Sequence, residues 1–460
     1  MSSAHDNHTG FKRTITVVGQ IGIALATISP VAGVFANIQG TLGAAGSGML
    51  WAYLIAAVIT IGVAFTYGEM GSIYPVTGGL YSIVRNVLGP TLGFVALTDY
   101  LIQAAFMPAT IALGAAQYFQ TLMPSVSLNV IGFIIMLIVT LIALGPTTLE
   151  AKFTGFFVVL ELILMVALTI SSIIHIHQPL SIYSHPVAEV NKHVVGSTWT
   201  MVIAATAVAL FSYNGYDSAL NVSEETKASP RQIGSSVVKS AVLAIVFQLI
   251  PIFFMLLATP SLPGLLNSDN PLALLGTSLF GPSAGTIFNI AAGLAILNST
   301  LGVTIQFSRL LFASARDCVW PGKLNDYFTR IHPRTGSPYI AVSVIGVFGL
   351  IMTFFSSFLF DLTFIGMILV SLYILVTLSA IVSRIRSREM ERPYKAPLGL
   401  LFPVIGLLGA VAVLVQQDVK GIITAIVLFV IGALYWLLFG RRFSTGSSVD
   451  PTSEHLSGNL

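Results

Sequence analysis

Three carboxylates stand in stretches otherwise apolar enough to cross a membrane: Asp99 in LTDYLIQAAF, Glu161 in VVLELILMV and Asp217 in FSYNGYDSA. An ionisable group in hydrocarbon is costly, so each is by default a functional candidate. Asp99 lies about ten residues into its apolar run, or roughly 15 Å at 1.5 Å per residue, near the bilayer midplane. It suits either receipt of a substrate amine or a proton relay; the structural alternative is a basic partner or a loop cap. Glu161 is a coupling candidate if burial moves its titration towards the working range, and otherwise needs a partner from a neighbouring helix. Asp217 follows a helix break, where it is placed either to gate or to cap the restarted helix. Gln103 and Gln306 are polar enough to pair between helices or to touch substrate.

Two further sequences carry backbone chemistry. TISPVAGVFA interrupts the first apolar run and LFSYNGYDSA the sixth. Pro30 removes a donor and Gly33 weakens the next turn; Asn214 and Gly215 act similarly in the sixth run. Unwound backbone inside a membrane is tolerated only beside protein or a cavity, so each break marks a cavity. The restarted half-helix presents the N–H groups of Val31, Ala32 and Gly33 with the positive end of its dipole, which suits a carboxylate. Carbonyls freed near Ala26, Thr27, Ile28 and Phe211 suit an ammonium or a cation. A small zwitterion such as an α-amino acid fits this pair of poles. Ser29 adds a hydroxyl, and Phe35, Phe211, Tyr213 and Tyr216 are aromatic gate candidates. Ser299 and Thr300 in LNSTLG offer hard oxygen ligands and form a lesser sodium candidate.

The elements that must position these groups are membrane helices. Of 460 residues, 55% are hydrophobic and 8% charged, and the mean hydropathy is +0.89; no ordinary soluble globule has this composition. About twelve runs reach the roughly 20 residues that a spanning helix needs. The short alternating segments of a β-barrel are not the pattern here. Of the 21 basic residues, all but Lys192 and Lys420 fall on one side of the runs, among them Lys12, Arg13, Arg85, Arg231, Arg309, Arg316, the cluster Arg384 to Lys395, and Arg441 with Arg442. The positive-inside rule makes that side cytoplasmic, with both termini on it. The basic cluster reads as a solvated face, and the net charge of +3 carries no message about nucleic acid. Glu224 and Glu225 fall at the cytoplasmic mouth, either solvated or paired with Arg231 or Arg85. Cys318 is the only cysteine, which excludes intramolecular disulfides and cysteine-rich metal sites. His175, His177, His185 and His193 share an outer loop without a clean metal spacing. The N-terminal tail lacks the features of a cleaved signal, so the first run is expected to stay in the protein.

Breaks five runs apart are the sequence pointer to an inverted-repeat transporter with its site at the midplane. The expected organisation is a tail over 1–13, a first repeat over 14–175, an outer loop over 176–197, a second repeat over 198–388, two further helices over 389–440 and a tail over 441–460.

At this point the motifs resemble the amino acid–polyamine–organocation permeases over most of the chain, from about Thr14 to Arg442. YGEMGSIYPVTGGLYSIVRNVLGPTLGF is similar to that family's loop after helix 2, carried by Glu69, Pro75, Gly78, Gly79 and Tyr81. SPVAGVF resembles its first break, FSYNGYDSALNVSEETKASPRQI its second with the acidic exit, and RLLFASARDCVWPGKLNDYFTRIHPRTGSPYIAV its loop after helix 8. The resemblance implies an all-α membrane protein of about twelve spans with a LeuT-type five-plus-five inverted repeat, and secondary active transport. It also implies carboxylate binding by the amides of Val31, Ala32 and Gly33, and substrate contacts at Phe211, Tyr213, Asn214 and Tyr216. Four residues depart from the pattern. Pro30 and Val31 make the first break less glycine-rich, Cys318 stands where glycine is common, and Glu161 occupies the helix 5 position where some proton-coupled members carry a lysine.

No G-x-x-x-x-G-K-[ST] motif is present, so ATP is not the expected energy source. No catalytic constellation lies in the apolar runs, and polar stripes are too few for a channel. The expectation is a non-enzymatic, cofactor-free permease of a bacterial inner membrane. It would move an amino acid, or alternatively a polyamine or other organic amine, by alternating access. Proton coupling is preferred to sodium or exchange, and the oligomeric state is left open.

Overall fold

The computed structural model describes residues 15–75, 79–190, 193–268, 270–355, 357–417 and 419–437. Lys12, Arg13, Gly78, Lys192, Arg441 and Arg442 lie outside the described residues.

The first run is helix α1 (Val17–Ile28), a π-helical turn at Ala32–Ala36 and α2 (Ile38–Ala45). Then come α3 (Met49–Ile73), the short amphipathic α4 (Gly79–Leu88), α5 (Pro90–Gln120), α6 (Leu128–Ala143) and α7 (Thr147–Ile174). The outer loop holds a single turn α8 (Ser181–Ser184) and an antiparallel hairpin, β1 (Val187–Val190) with β2 (His193–Gly196), which the hydropathy pattern did not announce. The sixth run is α9 (Trp199–Tyr213) and α10 (Ser218–Asn221), followed by α11 (Pro230–Ala258). Two short helices, α12 (Leu262–Leu266) and α13 (Pro271–Phe280), lead to α14 (Pro282–Arg316) and α15 (Leu324–Phe328). The chain finishes with α16 (Tyr339–Phe355), α17 (Phe358–Arg386), α18 (Leu401–Val415) and α19 (Val419–Tyr435).

Local signals start these helices where the sequence offers them. Pro90, Pro230 and Pro282 occupy first turns, where a missing N–H costs nothing. Ser229 and Gln232 form a reciprocal capping box at α11. Among the described residues, seven helices are long and apolar enough to cross a membrane, and α6, α13, α16 and α18 are shorter apolar helices. The protein is thus a multi-span, all-α membrane protein. Its polarity is inverted relative to a soluble protein. Outward faces carry Leu141, Phe156, Ile163, Ile287 and Phe355, whereas Gln20, Glu69, Asp99, Glu161, Asp217 and Gln248 are buried.

Helix partners follow a regular rule. α3 packs on α11, α5 on α14, and α6 on α16, while α2 lies along α9 and α1 along α10. α7 packs against α1, α11 and α14; α17 packs against α9, α3 and α5. Each of these contacts joins or mirrors elements five runs apart.

Candidate functional site

The first break centres on Ser29, whose φ of 44° is a left-handed conformation that side chains seldom adopt. Its hydroxyl accepts from the Ala32 N–H at 3.1 Å and its carbonyl from the Gly33 N–H at 2.9 Å. The serine therefore caps the restarted half-helix itself. The π-helical turn beyond it is closed by the Asn37 N–H bonding to the Ala32 carbonyl at 3.1 Å, a geometry that tends to occur at functional positions.

At the second break Asn214 is extended, at φ −69° and ψ 152°, and Gly215 takes φ 119°. A Cβ at Gly215 would sit 2.8 Å from the Ile28 nitrogen and 3.0 Å from the Thr27 carbonyl carbon. Only glycine satisfies both the dihedral and the contact. The two breaks thus lie directly against one another, α1's last turn on the Gly215 backbone.

On one side of this crossing is a narrow cavity of about 10 Å³, room for little more than one water molecule. The first run lines it with Thr27, Ile28, Ala32, Ala36 and Asn37, and α5 with Met107, Thr110 and Ile111. Phe211, Asn214, Ser299 and Phe358 complete the wall. Of the residues singled out from sequence as substrate contacts, Ala32, Phe211 and Asn214 line this space; Ser29, Val31, Gly33, Asp99, Tyr213 and Tyr216 are not part of its lining. Ser299 lines it too, and its hydroxyl donates to the Thr27 carbonyl at 3.3 Å, while Thr300 bonds back to Ile296 in its own helix at 3.3 Å.

Gly33 faces Gln248 of α11, whose side chain would overlap a Cβ placed there, at 2.3 Å. Gln248 Nε2 donates to the Ser212 carbonyl at 2.9 Å, and Tyr53 Oη bridges the Gly33 carbonyl at 3.0 Å and Ser212 Oγ at 3.1 Å. These residues tie the two breaks together, and neither was singled out from sequence. Gln20 does the same lower down, donating to the Ala219 carbonyl at 2.7 Å. Phe35 packs on Tyr118 and Phe288, with ring centroids 5.9 and 5.4 Å away. Tyr213 packs edge-on to Tyr53 at 5.7 Å.

The buried carboxylates occupy separate surroundings. Asn298 Nδ2 donates to Glu161 Oε1 at 3.3 Å, and the Ser29 hydroxyl and Val31 N–H face the same carboxylate. Glu161 Oε2 and Asn298 Oδ1 are buried without a hydrogen bond among the described residues. Asp99 accepts from Ser371 of α17 at 2.7 Å. Asp217 stands at the N-cap of α10, but its carboxylate makes no capping bond; it accepts from Tyr100 at 2.5 Å and Gln306 at 3.1 Å instead. Gln103 is buried with its Nε2 unbonded among the described residues. Asp361, on the first turn of α17, is a further buried acid that hydropathy reasoning passed over; its Oδ2 is 3.5 Å from Thr110 Oγ1. Glu69, read as a motif residue, and Glu225 are buried as well.

The other side of the crossing, where the chain enters at Ile15, is closed. Tyr216 bonds to Tyr373 at 3.0 Å, and Tyr67 packs on both rings. Glu225 is paired with Arg309 at 2.8 Å and Glu224 with Arg316 at 2.8 Å. These partners correct the expectation of solvation or of pairing with Arg231 or Arg85: Arg309 and Arg316 lie two turns apart on α14, on the face over which residues 223–225 pass. Arg85 pairs with Asp317 at 3.2 Å. Ile15 bridges to the same segment, its N–H bonding to the Glu225 carbonyl at 3.0 Å and its carbonyl accepting from Lys227 at 2.7 Å. Glu69 accepts from Arg384, from Arg392 at 2.8 Å and from the Ala396 N–H at 2.8 Å. Part of the basic cluster is therefore a buried clamp rather than a solvated face. Cys318 has φ 56°, a glycine-like conformation.

Crossed helix breaks beside a cavity in a multi-span membrane protein define the class of a solute transporter. Comparison with known proteins agrees. The amino acid permease family model matches residues 14–441, and the chain belongs to that family. It is 22% identical to the branched-chain amino acid permease BcaP of Bacillus subtilis over 95% of each chain. It is 24% identical to the low-affinity putrescine importer PlaP of Escherichia coli over 94% of each. The serine/threonine exchanger SteT of Bacillus subtilis is 26% identical over 89% of this chain and 92% of its own. The family and these relatives are transporters, and the chain is a transporter of amino acids or amines.

Proposed function

We propose that the protein is a secondary active permease that carries an amino acid or an organic amine through the cavity between the two breaks by alternating access. The observation that carries this reading is the backbone crossing at Gly215 and Ile28, with space on one side and a seal on the other. The packing rule, in which α3, α5 and α6 meet their counterparts five runs later, supports twelve spans, two LeuT-type repeats over 14–175 and 198–388, and an appended pair over 389–440. The sealed face bears the basic residues, which supports a cytoplasmic N-terminus and a cavity facing outward in an inner membrane. The relatives' names support both substrate classes.

Coupling falls to Glu161. It is fully buried, it faces the Ser29 hydroxyl and the Val31 N–H at the first break, and one of its oxygens has no hydrogen bond among the described residues. A proton on that oxygen relieves the cost of a buried charge, so protonation and the geometry of the break are linked. The sodium reading is weaker, because of its two hydroxyls only that of Ser299 meets the first break, at the Thr27 carbonyl, while that of Thr300 bonds within its own helix. The test is uptake into liposomes under separately imposed proton and sodium gradients. An inward proton gradient should drive accumulation. Glu161→Gln should abolish that accumulation while leaving counterflow exchange. Accumulation driven by sodium alone, or gradient-driven accumulation that survives Glu161→Gln, would contradict proton coupling at this residue.

A further inference from the structure

The outer surface of the helices holds larger spaces than the crossing does. Between α3 and α11 runs a groove of about 430 Å³, walled by Leu50, Trp51 and Leu54 of α3, Tyr183 of the outer loop, and Phe253 and Phe254 of α11. A second groove, of about 160 Å³, lies between α7 and α11 and is walled by Val166, Ile170, Val246 and Phe247 among others. Ile250 belongs to both, so the two meet on α11. Phe254 and Val246, at the ends of the joined surface, stand about 12 Å apart along the helix axis at 1.5 Å per residue.

The position of these grooves says what bathes them. All three helices belong to stretches long and apolar enough to cross a membrane. Trp51 is in the first turn of α3, Phe254 is one turn from the end of α11, and Ile170 is one turn from the end of α7. The grooves therefore open into one leaflet, just below its headgroups. Ile250 is 45% exposed and Ile170 54%. No wall side chain calls for water. The Trp51 indole donates to the Tyr183 carbonyl at 2.9 Å, the Tyr183 hydroxyl to the Phe253 carbonyl, and Thr169, beside the second groove, to the Met165 carbonyl at 2.8 Å.

Lipid tails are as apolar as these walls, so burial alone gives no preference for them. Shape does, because a concave wall touches each methylene on more than one side. Trp51 and Tyr183, tied together, close the end nearest the headgroups, where such side chains favour the interface. We propose that the joined grooves are a phospholipid site, with one acyl chain laid along α11 from Phe254 to Val246 and the headgroup beside the outer loop. Gln248, on the same turns of α11, is buried on the side away from the bilayer, where it donates to the Ser212 carbonyl and packs on Gly33. The chain thus backs the helix that holds the two breaks together. The site does not depend on what is transported.

The experiment is photocrosslinking of the full-length protein in phospholipid vesicles containing a phosphatidylethanolamine with a diazirine midway along one acyl chain, followed by peptide mapping. Labelling should concentrate on residues 246–254 and on the facing turns of α3 and α7, severalfold above the exposed apolar positions Ile287 and Phe355. Leu54→Phe with Ile250→Phe fills the groove, and labelling there should fall to the level of those positions. Native mass spectrometry of the unmodified protein is the second readout, and needs no variant to fold. One phospholipid should stay bound after excess detergent has stripped the rest. Even labelling of all exposed apolar faces would mark the grooves as ordinary bilayer contact and overturn the site. Labelling that persists in the filled variant, or loss of every phospholipid to detergent, would overturn it too.

Discussion

The two sides of the helix crossing are built from different materials. On the cavity side, neighbouring helices meet through apolar side chains and a few amides and hydroxyls, and a narrow space is left unfilled. On the sealed side, tyrosines pack on one another and ion pairs join α14 to the segment after α10 and α3 to the end of α17 and the loop after it. A closure made of discrete polar contacts can be made and broken as a unit, whereas packed apolar surface resists rearrangement. Under the proposed alternating access, the moving parts of the cycle fall on the sealed side and the selective surface on the cavity side.

That comparison can be broken most forcefully at Arg309. The pair with Glu225 is buried, with side chains 4% and 8% exposed. Removing one partner from such a pair costs about 3–5 kcal/mol, so Arg309→Ala should lower the thermal midpoint strongly. The double replacement Arg309→Met with Glu225→Gln should recover part of it. If the single and double variants unfold alike, the pair is not what holds the seal. Gly215→Ala comes next. Its Cβ would meet the α1 backbone and its φ is strained for any other residue, a cost of about 1–3 kcal/mol. Uptake should be lost even where folding survives, and wild-type uptake would show that the crossing tolerates separation. Gln248→Leu removes the donor to the Ser212 carbonyl, and an unsatisfied buried carbonyl costs about 1–3 kcal/mol; the expected readout is a moderate fall in thermal midpoint with transport reduced. Arg316→Ala should have the smallest effect, about 1 kcal/mol or less, because that side chain is 29% exposed and solvent screens the pair. An effect equal to that of Arg309→Ala would mean burial does not grade these contacts.

Much of the framework was legible in the sequence because it is local. Pro30, Gly33, Asn214 and Gly215 announce breaks through their own backbone chemistry, and apolar run length announces helices. Asp99 was placed near ten residues into its helix, and α5 begins at Pro90 accordingly. What escaped is long-range. Glu225 and Arg309 are 84 residues apart, and Glu69 and Arg384 are 315 apart; no pattern along the chain links them. Gln248 looks like an ordinary polar residue in an apolar run until α11 is laid against the Gly33 turn. Asp361 is not singled out by any pattern along the chain, and only the packing of α17 on α5 brings it to Thr110. The hairpin β1–β2 is short and flanked by loop residues, so it carries little periodicity.

The central claim is that one cavity is exposed alternately to the two sides. Side-specific labelling of Ile111→Cys in a Cys318→Ser background tests it directly, since Ile111 lines the cavity and Cys318 is the only native cysteine. With an impermeant thiol reagent in oriented vesicles, the account predicts reaction from the outer face at rest. During turnover, with substrate present, reaction from the cytoplasmic face should appear. Labelling confined to one face under resting and turnover conditions alike would contradict it.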